Sequence, residues 1–271
     1  MANDPLGNAK TGVEVLSEVI KLAGDDPNVK KAGSELGKTA LTITRTINNA
    51  LLPLAAVNFA FEKARKYFAD RFDQDLQEKA NNIPPEELIE PKASVAGPAL
   101  QGLAFAHEEE GLKSLFLELL AGAMDRRKAS VVHPAFVEIV KQLEAEEARH
   151  LQAILKTDIL PIGTLVRQHK TNGSQITLRR HVLQMTNGEN PVIVEGLGAM
   201  VDNWNRLGLV TVSYTDTLTD ERQYEWLSAR PELSAQPPES ESSEFQVQWV
   251  RGILYPTELG KRFARAVGLT A

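Results

Sequence analysis

Cysteine is absent from the 271-residue chain. A disulfide framework, a thiol nucleophile and a cysteine-based zinc site are therefore excluded, and a cysteine-free composition suits the reducing cytoplasm. Cationic residues are also in the minority, because 30 Lys and Arg face 36 Asp and Glu, a formal net charge of −6. This balance excludes a protein that binds polyanions with its whole surface, although a local basic patch remains open.

Long apolar runs and an export signal are missing as well. The longest uncharged stretch, residues 46–61, has sixteen residues and contains three asparagines and a proline. A membrane-spanning helix needs about twenty predominantly apolar residues. We therefore predict a buried core segment here, with membrane contact as the alternative. The N-terminus has no basic region leading into an apolar run, so we expect a cytoplasmic protein.

Motifs for several known chemistries are incomplete. Gly37, Lys38 and Thr39 resemble the end of a phosphate-binding loop, but Ala32 occupies the position where that loop needs glycine. Glu147 and His150 have the spacing of a di-iron carboxylate–histidine pair, which requires a second copy that the sequence does not contain. Serine nucleophile elbows and His-Glu-x-x-His motifs are absent too. We therefore expect no metal, no cofactor and no catalytic residue, and favour a protein that is not an enzyme.

Helical periodicity dominates the first two-thirds of the chain. One apolar stripe recurs at helical spacing and consists of Leu112, Leu115, Phe116, Leu119, Leu120 and Ala123. A second stripe follows Pro134, which stands where the first turn of a helix tolerates proline. Four prolines between residues 81 and 98 predict an extended segment rather than a long helix. We predict an N-terminal helix and linker over residues 1–34 and a helical bundle over residues 35–156.

The pattern changes after residue 156. Alternating β-branched residues predict strands over residues 209–214 and 245–253. Helices are predicted over residues 192–206, where Trp204 should be buried, and over residues 257–267, with Thr257 as the N-cap. An acidic stretch at 231–244 predicts a solvated loop. The predicted fold class is therefore mainly α, a helical bundle followed by a small α+β, winged-helix-like unit over residues 157–271.

One segment is locally basic. Residues 162–185 contain no Asp or Glu, and their cations are Arg167, Lys170, Arg179 and Arg180. Such a cluster indicates either a polyanion contact or an ordinary basic surface. The predicted 192–206 helix is a poor alternative for nucleic-acid contact, because Glu195 and Asp202 outweigh its single Arg206.

A family resemblance rests on two neighbouring blocks, residues 120–125 (LAGAMD) and residues 132–143 (VHPAFVEIVKQL). They resemble the bacterial Abi-alpha (abortive infection alpha) family, a domain of unknown function associated with phage defence. The matching positions are Met124, Asp125, His133, Pro134, Phe136, Ile139, Leu143 and Glu147. The resemblance spans residues 35–215 and implies a biological setting rather than a reaction, because the family has no established catalytic residues. We expect His133 to cap a turn and Phe136 to enter the core.

Two functional hypotheses follow from these patterns. The first is a non-enzymatic phage-defence effector or regulator that acts through contact with a protein partner, with another copy of itself or with a membrane. The alternative is a nucleic-acid-binding regulator with a winged-helix unit that uses the basic segment 162–185. A salt titration distinguishes these hypotheses, because the affinity for nucleic acid falls steeply as ionic strength rises.

Overall fold

The computed structural model of the protein describes residue 47 and residues 58–236 and 244–270. The expectations for residues 1–34 and for most of the stretch 46–61 lie outside these residues. The described chain forms two compact units. The first contains residues 58–150 together with residues 263–270, and the second is Leu151–Arg262.

The first unit is helical. Its helices are α1 (Asn58–Asp70), α2 (Phe72–Ala80), α3 (Ala93–Ala106), α4 (Glu110–Met124), α5 (Pro134–Val140) and the start of α6 (Ala145–Ile154). The predicted stripe of α4 is confirmed, because all six of its members are at most 6% exposed. Each large side chain in such a stripe contributes about 1.5–3 kcal/mol when it is fully buried. The stripe therefore anchors α4 in the core.

Helix α3 corrects the prediction for the proline-rich segment. Only the part upstream of it is irregular, with a single 3-10 turn at Pro85–Glu87, whereas α3 begins at Ala93 and contains Pro98. A proline inside a helix removes a hydrogen bond and costs about 3 kcal/mol. Close packing offsets this cost, because a Cβ atom at Gly102 would collide with the ring of Phe116 in α4. Burial of the Ala- and Gly-rich face of α3 therefore outweighs the tendency of Pro98 to interrupt a helix.

The second unit is built on a curled, antiparallel, four-stranded half-barrel. The strands occur in the order β2-β1-β6-β5 and span Leu160–His169 (β1), Gln175–Val182 (β2), Val210–Ser213 (β5) and Phe245–Pro256 (β6). A small separate hairpin consists of Thr186–Asn187 (β3) and Asn190–Pro191 (β4). The remaining elements are a 3-10 helix at Glu221–Ala229, α7 (Leu197–Arg206), α8 (Pro231–Ser234) and α9 (Glu258–Ala266), whose last residues belong to the first unit.

The predicted fold class is wrong. Helix and strand account for about 49% and 20% of the structure, which is a mixed α/β fold rather than a mainly helical bundle with a winged helix. A winged helix would pair the two predicted strands as a hairpin after α7. The two predicted strands, β5 and β6, do pair antiparallel, but β6 lies between β5 and β1 and also pairs with β1 along the whole length of that strand, so both belong to a four-stranded sheet. The winged-helix interpretation failed because β1 and β2 were not predicted.

Several individual elements of the second unit are nevertheless confirmed. The strands predicted over residues 209–214 and 245–253 are β5 and β6. Trp204 is fully buried, and the hydroxyl of Thr257 accepts a hydrogen bond from the N–H of Gly260, 2.9 Å away, at the start of α9. The acidic stretch 231–244 differs from expectation at its beginning, because α8 is helical and Glu232 is buried. Residues 237–243 lie outside the described part.

Candidate functional site

The basic segment folds into the β1–β2 hairpin. Arg167 lies on β1, Lys170 follows it in the turn, and Arg179 and Arg180 lie on β2. Strand β2 is at the edge of the sheet, and nearly all of its first six residues are exposed. The structure therefore collects the four predicted cations on one hairpin of the second unit.

Three of these basic residues contact neighbours. The guanidinium carbon of Arg167 lies 4.5 Å from the ring centroid of Phe245, which is a cation–π distance. The backbone N–H of Lys170 donates to the carbonyl of Glu244 over 2.8 Å. Arg179 lies 3.7 Å from a carboxylate oxygen of Glu195, and both side chains are exposed. Exposed ion pairs of this kind contribute little to stability, so Arg179 stays available to other anions.

His181 occupies an unusual backbone position near the end of β2. Its φ angle is 52°, and it is the one non-glycine residue with positive φ in the described part of the chain. The pairing of β1 with β2 shifts register between Gly163↔Val182 and Leu165↔Arg179, so His181 lies in a β-bulge. A left-handed residue in a bulge is usually glycine, and strain of this kind is often found at functional positions.

Both ring nitrogens of His181 are hydrogen-bonded. Nδ1 lies 3.0 Å from the hydroxyl of Tyr214 and Nε2 lies 3.1 Å from Oδ1 of Asp202. A carboxylate only accepts, so Nε2 carries the proton and Nδ1 accepts from the tyrosine hydroxyl. The Tyr214 and His181 rings are also stacked, with centroids 5.8 Å apart. This Tyr214–His181–Asp202 cluster joins the end of β2, the end of β5 and helix α7.

Burial keeps the inner part of the cluster uncharged. Burial lowers the pKa of His181, which is 4% exposed, and the carboxylate of Asp202 opposes this effect. Burial likewise raises the pKa of the Tyr214 hydroxyl. The order hydroxyl, imidazole and carboxylate matches a nucleophile–base–orienter chain, but a phenol with a raised pKa is a poor nucleophile at neutral pH. The arrangement therefore serves to hold three elements together.

The Met124-Asp125 pair of the first unit joins the end of α4 to the proline-rich segment. The N–H of Ile89 donates to the carbonyl of Met124 over 2.8 Å, and Asp125 forms an isolated β-bridge with Leu88. The buried Asp125 carboxylate accepts from the guanidinium of Arg127 at 2.7 Å. Hydrogen bonds from Arg127 lower the pKa of Asp125. These contacts give the pair a structural role.

The His-Pro-x-Phe block begins α5. His133 is the N-cap, and its Nδ1 accepts a hydrogen bond from the N–H of Ala135 over 3.1 Å, while Pro134 fills the first helical position. Phe136 is fully buried, and its ring meets that of Phe263 edge to face at 5.6 Å. These residues therefore cap a helix and fill the core of the first unit.

Glu147 acts at the start of α6. It is buried, and its carboxylate accepts a hydrogen bond from the backbone N–H of Glu144 at 3.2 Å. A side chain reaching back to the residue before a helix is half of a capping box. Glu147 thus satisfies a backbone donor that the helix itself cannot.

Comparison with known proteins assigns the family. The family model described as abortive infection alpha matches residues 64–267, which include the motif blocks of the first unit and the whole sheet of the second. The chain belongs to the abortive infection alpha family. No curated protein and no solved structure matches it.

The second unit of this abortive infection alpha protein holds a buried ion pair that the sequence did not reveal. Arg230 and Glu232 form two hydrogen bonds, of 2.9 and 2.6 Å. The same guanidinium donates to the carbonyls of Met185 at 2.8 Å and Val192 at 2.7 Å. Arg230 therefore holds both ends of the β3–β4 hairpin. The only sequence signal was the Arg-Pro-Glu spacing at the start of the acidic stretch.

The described residues offer neither a metal-binding cluster nor a membrane-spanning helix. Within residues 58–236 and 244–270, no group of three or more His, Asp or Glu side chains is placed to hold a metal ion. The helices of these residues are each too short or too polar to cross a membrane. The candidate site in the second unit is the exposed β1–β2 hairpin, with the Tyr214–His181–Asp202 cluster at the end of β2.

Proposed function

We propose that this chain acts in phage defence by contact with a partner protein rather than by catalysis, and that the β1–β2 hairpin is the contact surface. Membership of the abortive infection alpha family supports the biological setting. The exposed edge strand β2 is the observation that supports the contact. We expect the protein to work in the cytoplasm, since a cysteine-free chain suits a reducing compartment.

An exposed edge strand is a feature that folded proteins commonly avoid, because its unpaired backbone groups invite association. Here the edge is neither very short nor covered along its first half, and Ile176 is 60% exposed on it. The Tyr214–His181–Asp202 cluster fixes the far end of the same strand. A rigid, exposed strand of this kind fits a binding surface that is formed before the partner arrives.

The proposal is tested by phage challenge of bacteria that express the chain. The double variant Arg179→Glu/Arg180→Glu should lose protection, measured as plaque formation, while accumulating to the same level as wild type. A matched control is Arg65→Glu/Lys66→Glu, which reverses two neighbouring exposed charges on α1 and should protect like wild type. Equal protection by the hairpin variant and wild type would contradict the proposal.

A second candidate is nucleic-acid binding by the same hairpin, favoured by the absence of Asp and Glu from residues 162–185. Two-stranded ribbons can enter the major groove of DNA. Binding to duplex DNA should then weaken by orders of magnitude between tens and hundreds of millimolar salt. Failure of the chain to bind duplex DNA at low salt would remove this candidate.

A further inference from the structure

Resting on the proposed function, we infer that β2 binds its partner by strand addition and that the occupant is an extended, acidic segment of another protein. Peptides that add a strand to a sheet edge gain affinity from backbone hydrogen bonds and specificity from alternate side chains. The β2 edge offers both kinds of contact, and its charge selects the occupant.

The backbone alternation of the hairpin identifies the outward-facing groups. The N–H of His169 donates to the carbonyl of Ser174 over 2.8 Å, and Arg167 pairs with Ile176 two positions further along. In an antiparallel pair, residues alternate between facing the partner strand and facing away from it. The N–H and C=O groups of Gln175 and Thr177 therefore point away from β1, toward an incoming strand.

An apolar side chain stands beside these backbone groups. Ile176 is 60% exposed, and because it is paired with Arg167 the two side chains share a face of the sheet. The ring of Phe245 lies on that face too, under the Arg167 guanidinium. An incoming strand would cover Ile176 with one of its alternate side chains, and its other alternate side chains would lie on the opposite face of the sheet.

The positive charge of β2 favours an acidic segment over a second copy of this strand. Strand β2 carries Arg179 and Arg180, both exposed, and the surrounding segment 162–185 contributes no carboxylate. A second copy of β2 would bring the same cations to the edge, and like charges across a strand pair are destabilising. A segment rich in Asp or Glu is complementary and would also be steered toward the hairpin.

The length of the available edge limits the occupant to a short segment. Helix α7 packs against the end of β2, where a Cβ atom at Gly198 would lie 3.1 Å from the carbonyl oxygen of Arg180. The strand is therefore open from residue 175 to about residue 179, with its regular part at residues 175–177 because a register shift interrupts the pairing before Arg179, and it is closed beyond. The partner segment needs only a few extended residues to fill this edge.

Strand addition is tested with the full chain and fluorescent peptides. The probe is a short peptide of alternating Glu and Val, followed by fluorescence anisotropy, and we expect saturable binding that weakens with salt. The same peptide with alternate backbone amides N-methylated should bind about tenfold more weakly or worse, because each lost hydrogen bond costs about 1 kcal/mol. A peptide with Lys in place of Glu should lose at least as much affinity. Equal binding of the methylated and unmethylated peptides would overturn the inference.

Protein variants provide the complementary test. Thr177→Pro removes an outward N–H and should weaken peptide binding about fivefold, whereas the matched Thr177→Val keeps that N–H and should bind like wild type. Arg179→Glu/Arg180→Glu should reject the Glu peptide and accept the Lys peptide. If Thr177→Pro disturbs the hairpin, the methylated peptide still decides with the unaltered protein. Binding of duplex DNA that these variants weaken, with no peptide binding, would assign the hairpin to nucleic acid instead.

The inference and the proposed function can fail separately. If none of the peptides binds while Arg179→Glu/Arg180→Glu still abolishes phage protection, strand addition is wrong and the hairpin contacts its partner in another way. If the acidic peptide binds as expected but the double variant protects like wild type, the edge binds acidic strands and the proposed role of the hairpin in defence is wrong.

Discussion

Arg230 and Glu232 lie side by side inside the second unit, with Nη2 and Oε1 2.6 Å apart and the two side chains 1% and 6% exposed. Glu232→Ala would leave the buried guanidinium without its counter-charge, which typically costs about 3–5 kcal/mol. We expect that loss in the free energy of unfolding measured with urea. Glu225→Ala, at an exposed position of the 3-10 helix, should change it by less than about 0.5 kcal/mol. A loss below about 1 kcal/mol for Glu232→Ala would contradict the assigned role.

The pH dependence of stability should report on His181. Its pKa in the folded chain lies below the ordinary value of 6.5, chiefly because of burial, with Asp202 opposing and Arg180 adding to the shift. The unfolded chain therefore binds the proton more readily, so this contribution to stability is present above about pH 6.5 and is lost as the pH falls below it. Melting temperatures measured from about pH 8 to pH 5 should show the decline.

Two variants isolate the contribution of His181 from that of other groups. His181→Asn should flatten the decline below about pH 6.5, because asparagine does not titrate and tolerates positive φ. Asp202→Asn should steepen it, since the carboxylate that favours the protonated imidazole is gone. A wild-type curve that runs parallel to the curve for His181→Asn would show that this histidine does not titrate as inferred.

The His133 cap makes a modest prediction about the first unit. His133→Ala removes the acceptor for the Ala135 N–H and should cost about 0.5–2 kcal/mol, as loss of an N-cap usually does. A fall of about 2–4 °C in the melting temperature is expected for a chain of this size. His133→Asn keeps a capping oxygen and should recover most of the loss. Abolished phage protection with an unchanged melting temperature would point to a functional role instead.

Replacing Trp204 should lower the free energy of unfolding, whereas replacing the two exposed arginines of β2 should leave it nearly unchanged. Trp204 is fully buried in the second unit, so Trp204→Ala should destabilise the protein by about 3–5 kcal/mol. Arg179→Ala/Arg180→Ala should stay within about 0.5 kcal/mol of wild type, because both side chains are exposed. Urea denaturation measures both. A large loss in the arginine variant would show that β2 needs these side chains for folding.

The sequence predicted elements with regular periodicity and missed those without it. Helix α4 was found because its apolar positions recur every three or four residues, and all of them are buried. Strand β2 escaped because most of its first six positions are exposed, which removes the alternation that marks a half-buried strand. Strand β1 escaped because register shifts beside Leu165 break its burial pattern. Without these two strands, the helix–strand–strand–helix order looked like a winged helix.

The candidate site was predictable only in part, for a related reason. The basic segment was visible because its cations lie close together in a stretch, residues 162–185, that contains no Asp or Glu. The contacts of His181 join residues 21 and 33 positions apart, and a distance of that kind leaves no local pattern. The positive φ of His181 arises from a bulge in the pairing with β1, and a bulge is a property of two strands rather than of one. The His181 cluster could therefore not be predicted from the sequence, because its contacts and its backbone conformation depend on residues that are far apart in the chain.

The chain leaves the first unit after residue 150 and re-enters it at residue 263, which has a practical consequence for anyone dissecting the protein. Removing the last nine residues would take Phe263 away from Phe136 and expose an aromatic face of the helical core, more than a hundred positions earlier in the chain. The remaining fragment, residues 1–262, should therefore aggregate. The unit boundaries also fall inside α6 and α9, so excising residues 151–262 would sever both of these helices.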